Sequence, residues 1–257
     1  MVSAHATPLA TAVRELVPAS TGPAVVLVRL AHPTPVAAAV VETVVETLLE
    51  LGCASVTVGD RLSCEQRDRG ARSVSALAAA AGLRGRTARG AAYDVVDLLD
   101  ETVTAPVPPA AVLHGRAVSG RWVAADVRVV IGRAVTDLYA AYAGCLETLL
   151  GAAEEVAGAE PADVVAELVE HAGPHVALVD ALAVSSGPDG ARLPRHSPTD
   201  ALVVAADPLL ADTTLATLLG EDRSASPLVR SVLTRRGAPA GTAEGDLSLL
   251  PGVRRVH

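Results

Sequence analysis

The sequence predicts an α/β fold: a mostly parallel central sheet flanked by helices on both faces, with a small irregular or antiparallel insertion around residues 101–123. Three observations carry this. Short apolar runs rich in Val recur along the chain, at 24–28, 55–58, 127–131, 176–179 and 201–205. Strands covered by helices on both sides read as such continuous runs rather than as alternating ones. Segments with helical spacing lie between them, which is the order of parallel β–α–β units. The chain of 257 residues is long enough to bury a full core, and it is read as one domain over 1–257. With no Phe and a single Trp, Trp122, that core is built from small aliphatic side chains.

Taken in order, Pro8–Val17 reads as an opening helix and Ala24–Val28 as a buried strand. Thr34 is placed as an N-cap with Pro35 at the first helical position, and the helix runs to about Leu51. Val36, Val40, Val44, Leu48 and Leu51 share one face, and Glu42, Glu46 and Glu50 form a solvated one. Gly52 supplies the stop. Ser55–Val58 is the second strand, Ser73–Ala81 a helix and Tyr93–Leu98 a third strand. Glu101–Trp122 has prolines near its start and no helical period. Val127–Ile131 is a strand, and Thr136–Leu150 is expected to be a helix carrying Tyr139 and Tyr142. Helix Pro161–Glu170 precedes strand Val176–Val179 and a turn over 185–190. Strand Ala201–Ala205 leads to Asp207 as N-cap and Pro208 at N1 of a helix that stops at Gly220. A last helix covers Pro227–Arg236, and the glycine-marked tail ends in a short edge strand.

Composition removes several functions. A net charge of −8 has the wrong sign for a phosphate-binding nucleic-acid partner, and aromatic stacking platforms are nearly absent. Arg67, Arg69, Arg72, Arg84, Arg86 and Arg89 cluster, which reads first as a solvated surface and second as an anion-binding patch. Every basic residue is Arg. Schiff-base, pyridoxal and phosphate-loop chemistry all need a lysine and are excluded. All-arginine usage also fits a GC-rich, actinobacterial genome. Cys53, Cys64 and Cys145 form no disulfide framework and fit a reducing, cytoplasmic setting. No CxxC is present, and His171 and His175 lack partners at metal-ligand spacing, so no metal is expected. Gly82, Gly85 and Gly90 do not follow a strand in the dinucleotide pattern, so no cofactor is expected. The stretch after Pro35 is broken by glutamates and does not read as a membrane span, and no secretory signal is seen. The expected partner is a small molecule, with neither nucleic acid nor membrane, and a homodimer is allowed.

Open parallel sheets bind ligands beyond the carboxyl ends of their strands. Here those ends are polar. Asp180, Asp60 and His32 are the candidates for proton transfer. Arg133 is the candidate anion holder, with Arg61, Thr136, Ser185, Ser186 and Asp207 as further binding residues. Each has a structural alternative. Asp207 is a helix cap, Asp60 can hold a turn, His32 can be merely exposed before Pro33, and Ser185 and Ser186 can make a turn. A carboxylate at Asp180 directly after a buried strand needs a partner, and Arg133 can be that partner.

The order of these pieces resembles the family known as domain of unknown function 362. VVETVVETLLELGCASVTVGD (40–60), VAADVRVVIGR (123–133), HVALVDALAVSSGPDG (175–190) and DALVVAADPLLADTTLATLLG (200–220) carry the resemblance. The departures mark a divergent member. Relatives carry a Lys-Pro-Asn-like turn where this chain has Arg29-Leu30-Ala31-His32-Pro33. They carry a Lys-x-Lys-Thr-His stretch where this chain keeps only Arg133 and Thr136, and the ferredoxin-like cysteines appended in many members are absent. The resemblance implies the α/β fold but no activity. A divergent, stand-alone member implies recruitment into a specialised pathway. Two expectations follow: an enzyme performing cofactor-free acid–base chemistry (cyclisation, isomerisation, elimination or hydrolysis) on a small organic molecule, or a non-catalytic binding protein that has lost the family's lysines.

Overall fold

The computed structural model describes residues 2–30, 35–62, 70, 73–137, 141–155, 158–186, 195–239 and 253–256. Helix α1 (Val2–Leu16) precedes β1 (Pro23–Val28), α2 (Ala38–Glu50), β2 (Ser55–Asp60), α3 (Val74–Ala80) and β3 (Asp94–Asp97). A two-stranded antiparallel sheet, β4 (Thr102–Thr104) with β5 (Ala117–Ser119), forms the expected insertion and leads into α4 (Gly120–Ala124). Then come β6 (Val127–Asp137), β7 (Ala141–Ala143), α5 (Cys145–Thr148), α6 (Pro161–Ala172), β8 (Val176–Ser186), β9 (Arg195–Ala205), α7 (Pro208–Leu219), α8 (Pro227–Arg236) and β10 (Val253–Val256).

The main sheet runs β10-β9-β8-β6-β1-β2-β3, with β7 paired to β6. β8, β6, β1, β2 and β3 are mutually parallel. The strands alternate between two apolar layers. Val26, Val28, Val129, Ile131, Leu178 and Val204 face α1, α2 and α3, whereas Val25, Leu27, Val130, Val179 and Val203 face α6, α7 and α8. This two-sided burial is what the Val-rich runs demand. Trp122 is fully buried in the second layer and donates its Nε1–H to the Ala172 carbonyl at 2.8 Å. Among the described residues, no helix is long and apolar enough to cross a membrane.

Several boundaries differ from expectation. α1 begins at Val2, because the buried stripe of His5, Leu9, Ala12 and Val13 carries the helix through Pro8. α2 begins at Ala38, and the N–H of its N-cap residue Ala37 is taken by Asp180 of β8. Thr34, the expected cap, lies outside the described residues. Leu51 is exposed rather than part of the buried face. The glutamate face of α2 is not freely solvated: Glu50 pairs with Arg14 and Arg89, Glu46 with Arg89, and Glu42 accepts the Ala88 N–H.

Two corrections reach further. Thr136–Leu150 is not a helix. β6 continues to Asp137, the chain returns as β7 antiparallel to it, and only the four-residue α5 and one 3-10 turn follow. The return requires a glycine at 132, since a Cβ on Gly132 would stand 2.2 Å from the Gly144 carbonyl carbon. β8 and β9 are also longer than read, so Ser185 and Ser186 belong to β8, where their backbones pair with His196 and Arg195. β9 runs antiparallel to β8. Eight residues, 187–194, separate the two, too few for the crossover helix that a parallel pair needs.

The Gly132–Gly144 approach yields a test. Gly132→Ala should lower stability by about 1–3 kcal/mol through overpacking, read as a shifted urea midpoint with unchanged slope. A wild-type midpoint would show that the β6–β7 return is not this close.

Candidate functional site

Because β8, β6, β1, β2 and β3 are parallel, their carboxyl ends share one rim, where ligands of such sheets bind. Three aspartates end strands or follow the strand core there, and each accepts backbone N–H groups. Asp60, the last residue of β2, is 4% exposed; its Oδ2 accepts the Leu30 N–H and its Oδ1 the Arg61 N–H, both at 2.8 Å. Asp97 in β3 accepts from Leu62 and Leu99. Asp180 is 0% exposed; its Oδ2 accepts the Ala37 N–H at 2.8 Å and Arg133 Nη1 at 2.9 Å, and its Oδ1 the Leu182 N–H at 3.1 Å. Arg133 also donates through Nη2 to the Ala183 carbonyl at 2.8 Å. Bulges in β6 and β8 fall at this pair, a device that re-aims side chains at a rim.

The connection after β1 is therefore tied at both ends, at Leu30 by Asp60 and at Ala37 by Asp180. His32 lies within it in sequence and outside the described residues.

Beside Asp60 a cleft of about 90 Å³ opens, lined by Arg29, Asp60, Arg61, Glu147, Thr148, Leu150 and Gly151. Arg29 forms an ion pair with Glu147. Arg61 donates to the Ala153 carbonyl at 2.9 Å and stands 3.7 Å from Glu155. Burial pushes the Asp60 carboxyl up to about 6, against the opposing pull of the two N–H donors and of the Arg29 and Arg61 guanidiniums. A carboxyl in that range is poised for proton transfer near neutral pH. A larger groove of about 470 Å³ between α1 and α2 holds the Arg-paired glutamates and lies away from this rim.

The structure thus brings Asp60, Arg61, Arg133 and Asp180 to one rim. It does not bring Asp207 there. Because β9 is antiparallel, Asp207 stands at the opposite edge, where it accepts the Leu209 N–H at 2.9 Å as the N-cap of α7. Thr136 lies in the β6 extension, opposite Tyr142 of β7. Ser185 and Ser186 lie in β8, and 187–190 lie outside the described residues.

Reading the sequence missed three contributors. Arg29 follows the first strand directly, a visible signal. Glu147 was hidden by the expected helix over 136–150. Asp212 of α7 is buried and accepts the Cys145 N–H at 2.7 Å and the Leu146 N–H at 3.1 Å, so it holds the start of α5, the helix that carries Glu147. A Cβ on Gly144 would meet Asp212 Oδ1 at 2.5 Å. Burial raises the Asp212 carboxyl to about 7, the two N–H donors oppose that rise, and Glu147 adds to it.

Cys145 is buried, and its thiol lies 3.2 Å from the Leu178 carbonyl; burial and Asp212 push its ionisation well above the usual thiol range. Cys64 lies outside the described residues. His175 accepts the Arg128 N–H at 3.0 Å through Nδ1, and burial with the nearby Arg128 lowers its pKa. Among the described residues, no three His, Cys, Asp or Glu side chains converge as a metal-ligand set.

Compared with known proteins, the chain matches the family described as "Domain of unknown function (DUF362)" over residues 27–217. No curated protein matches. Among solved structures, one protein from Thermotoga maritima is similar at 12% identity and a TM-score of 0.49, covering 86% of this chain and 59% of its own. The chain thus spans less than two thirds of that protein's length.

Two outcomes follow from the geometry. Asp180→Asn should cost about 3–5 kcal/mol, because it strands the Arg133 guanidinium in a buried position without its counter-charge. An unchanged urea midpoint would rule out a supporting role for the pair. For Asp212, the folded value of about 7 exceeds the unfolded 3.8. Its stabilising contribution is therefore complete below about 4 and lost as pH rises through about 7. Wild-type protein should lose more stability between pH 5 and pH 8 than Asp212→Asn does; equal losses would place the carboxyl's titration elsewhere.

Proposed function

The chain belongs to the DUF362 family, and from that premise we propose that it is an enzyme acting on a small organic molecule by acid–base chemistry at the Asp60 cleft. The observation that carries this is a buried carboxyl, raised to about 6, lining a rim cleft between two arginines. Asp60 is the proton-transfer group. It takes a proton in its ionised form and returns it once protonated, which serves isomerisation, elimination, cyclisation or hydrolysis without a redox step. Arg29 and Arg61 supply the positive field that holds an acidic group of the substrate and steadies negative charge as it develops. The Asp180–Arg133 pair fixes the neighbouring part of the rim. All-arginine usage supports a GC-rich bacterial source, and the chain's divergence within its family supports a specialised pathway.

One observation favours a second reading, that of a binding protein without catalysis. Both oxygens of Asp60 accept backbone N–H groups, as those of the purely structural Asp212 do.

Solvent exchange separates the two. The protein is incubated in deuterium oxide with a panel of small keto, hydroxy and unsaturated carboxylic acids, and carbon-bound deuterium is followed by proton NMR. At least one acid should exchange, at a rate that rises with pH through about 6 and then levels as Asp60 ionises. Asp60→Asn should slow it by about 100-fold or more. No exchange across the panel, or an equally active variant, would favour the binding reading.

A further inference from the structure

The Asp60 cleft is small for a ligand site. Its volume of about 90 Å³ is well below the roughly 300–1,000 Å³ usual for pockets that enclose a whole small molecule. It therefore takes one end of a ligand and leaves the rest outside. Its charges say which end. Arg29 forms its ion pair with Glu147, which lines the cleft too. Arg61 lies 3.7 Å from Glu155, whose side chain is 47% exposed and which is not part of the lining. Exposed ion pairs contribute little, so a ligand carboxylate displaces Glu155 from Arg61 more readily than Glu147 from Arg29. Arg29, Arg61, Glu147 and Asp60 together carry no net charge with Asp60 ionised and one positive charge with it protonated, which suits a monoanion better than a dianion.

Asp60 Oδ1 borders the same corner. It accepts the Arg61 N–H, and a carboxylate oxygen has a lone pair left for a second partner. A Cβ on Gly151 would stand 3.2 Å from this oxygen, 3.9 Å from the Arg61 nitrogen and 2.8 Å from Leu27 Cδ1. The absent side chain thus leaves room where the Asp60 carboxyl and Arg61 meet, and Gly151 lines the cleft at that point.

From this we infer that the cleft is a head-group site for a monocarboxylic acid: Arg61 holds the carboxylate, the adjoining carbon C2 lies against Asp60 Oδ1 in the room that Gly151 leaves, and the remainder of the molecule stays outside. The inference rests on the preceding reading for its chemistry and narrows it to a substrate class. With the carboxylate and Asp60 in one small cleft, the carbon that loses its proton is the one next to the carboxylate. That carbon needs a carbonyl, or a carbon–carbon double bond, beginning at C3. The C2–H bond breaks, the proton goes to Asp60, and the electron pair moves into the neighbouring π bond as an enolate or its vinylogue. Return of the proton to C2 gives exchange, and its return to C4 of an unsaturated acid gives isomerisation. No oxidant or reductant takes part.

Two NMR measurements test it. In the first, propionate and pivalate are titrated into labelled protein at constant ionic strength, with sodium chloride as the control, while the Arg61 and Gly151 amides are followed. Propionate should shift both amides and saturate in the millimolar range. Pivalate, whose C2 is fully branched, should bind at least tenfold more weakly, and Gly151→Ala should weaken propionate binding at least tenfold. Equal binding of the two acids, shifts that do not saturate or that chloride reproduces, or undiminished binding by the alanine variant overturn the head-group site. If that variant does not fold, the wild-type comparison decides alone. In the second, deuterium uptake above the rate in buffer is compared for acetoacetate, whose C2 lies between its carboxylate and its carbonyl, and levulinate, whose acidic hydrogens are at C3 and C5. The protein should accelerate uptake at C2 of acetoacetate and nowhere on levulinate. Acceleration at C3 or C5 of levulinate overturns the assignment of the reacting carbon and leaves the acid–base reading standing. No acceleration with either acid, nor with any of the wider panel, removes the acid–base reading, and the titration then decides the head-group site by itself.

Discussion

Carboxylates, most of them buried, that accept pairs of backbone N–H groups hold this structure together. Asp60 takes Leu30 and Arg61, Asp97 takes Leu62 and Leu99, Asp180 takes Ala37 and Leu182, Asp212 takes Cys145 and Leu146, and Glu167 takes Val112 and Leu113. In every case at least one donor belongs to a segment remote in sequence, so each acid fastens a connection to the sheet or to a helix. A carboxylate satisfies two orphan amides at once through charge-assisted bonds, whereas a neutral side chain of similar size accepts fewer and more weakly. A core of Ala, Val and Leu fills space but cannot satisfy the backbone of the loops that cross it.

The same motif gives different chemistry according to the cations nearby. Asp180 and Glu167 each have an arginine in direct contact, Arg133 and Arg235. Among the described residues, Asp212 has its two amides and no cation in contact, with Glu147 opposing its charge, and its carboxyl rises to about 7. Asp60 falls between: two arginines act on it through space, its carboxyl sits at about 6, and it lines an open cleft. The cleft it lines, rather than the motif itself, marks Asp60 as the candidate proton-transfer group.

How much was legible in the sequence follows from the range of each signal. The strand cores, the cap at Asp207 and Pro208, and the stop at Gly220 were readable because they depend on neighbours in the chain. The rim positions of Asp60 and Asp180 followed once the strands were parallel. The β6–β7 return was not readable, because the close approach of Gly132 and Gly144 depends on two segments meeting in space, and the apolar residues of 136–150 also fit a helical face. The direction of β9 was misread for a related reason. Its Val-rich composition records burial on both faces, which is the same for either orientation, and only the short connection from β8 decides it. That single reversal moves Asp207 to the far edge. Likewise, the donors that occupy Asp180 come from Ala37, Arg133 and Leu182, a set that only the folded chain assembles.

The cleft is consequently not an independent feature of β1 and β2. Asp212 on α7 holds the start of α5, α5 carries Glu147, Glu147 pairs with Arg29, and Arg29 pulls the Asp60 carboxyl down against its burial. Each link is a short-range contact, yet the series runs from a buried helix to the rim. Two glycines sit at its base: Gly132 must lack a side chain for the Gly144 backbone to approach, and Gly144 for Asp212 to approach. The short return after β6 is thereby the segment that couples the helical layer to the charge state of the candidate site.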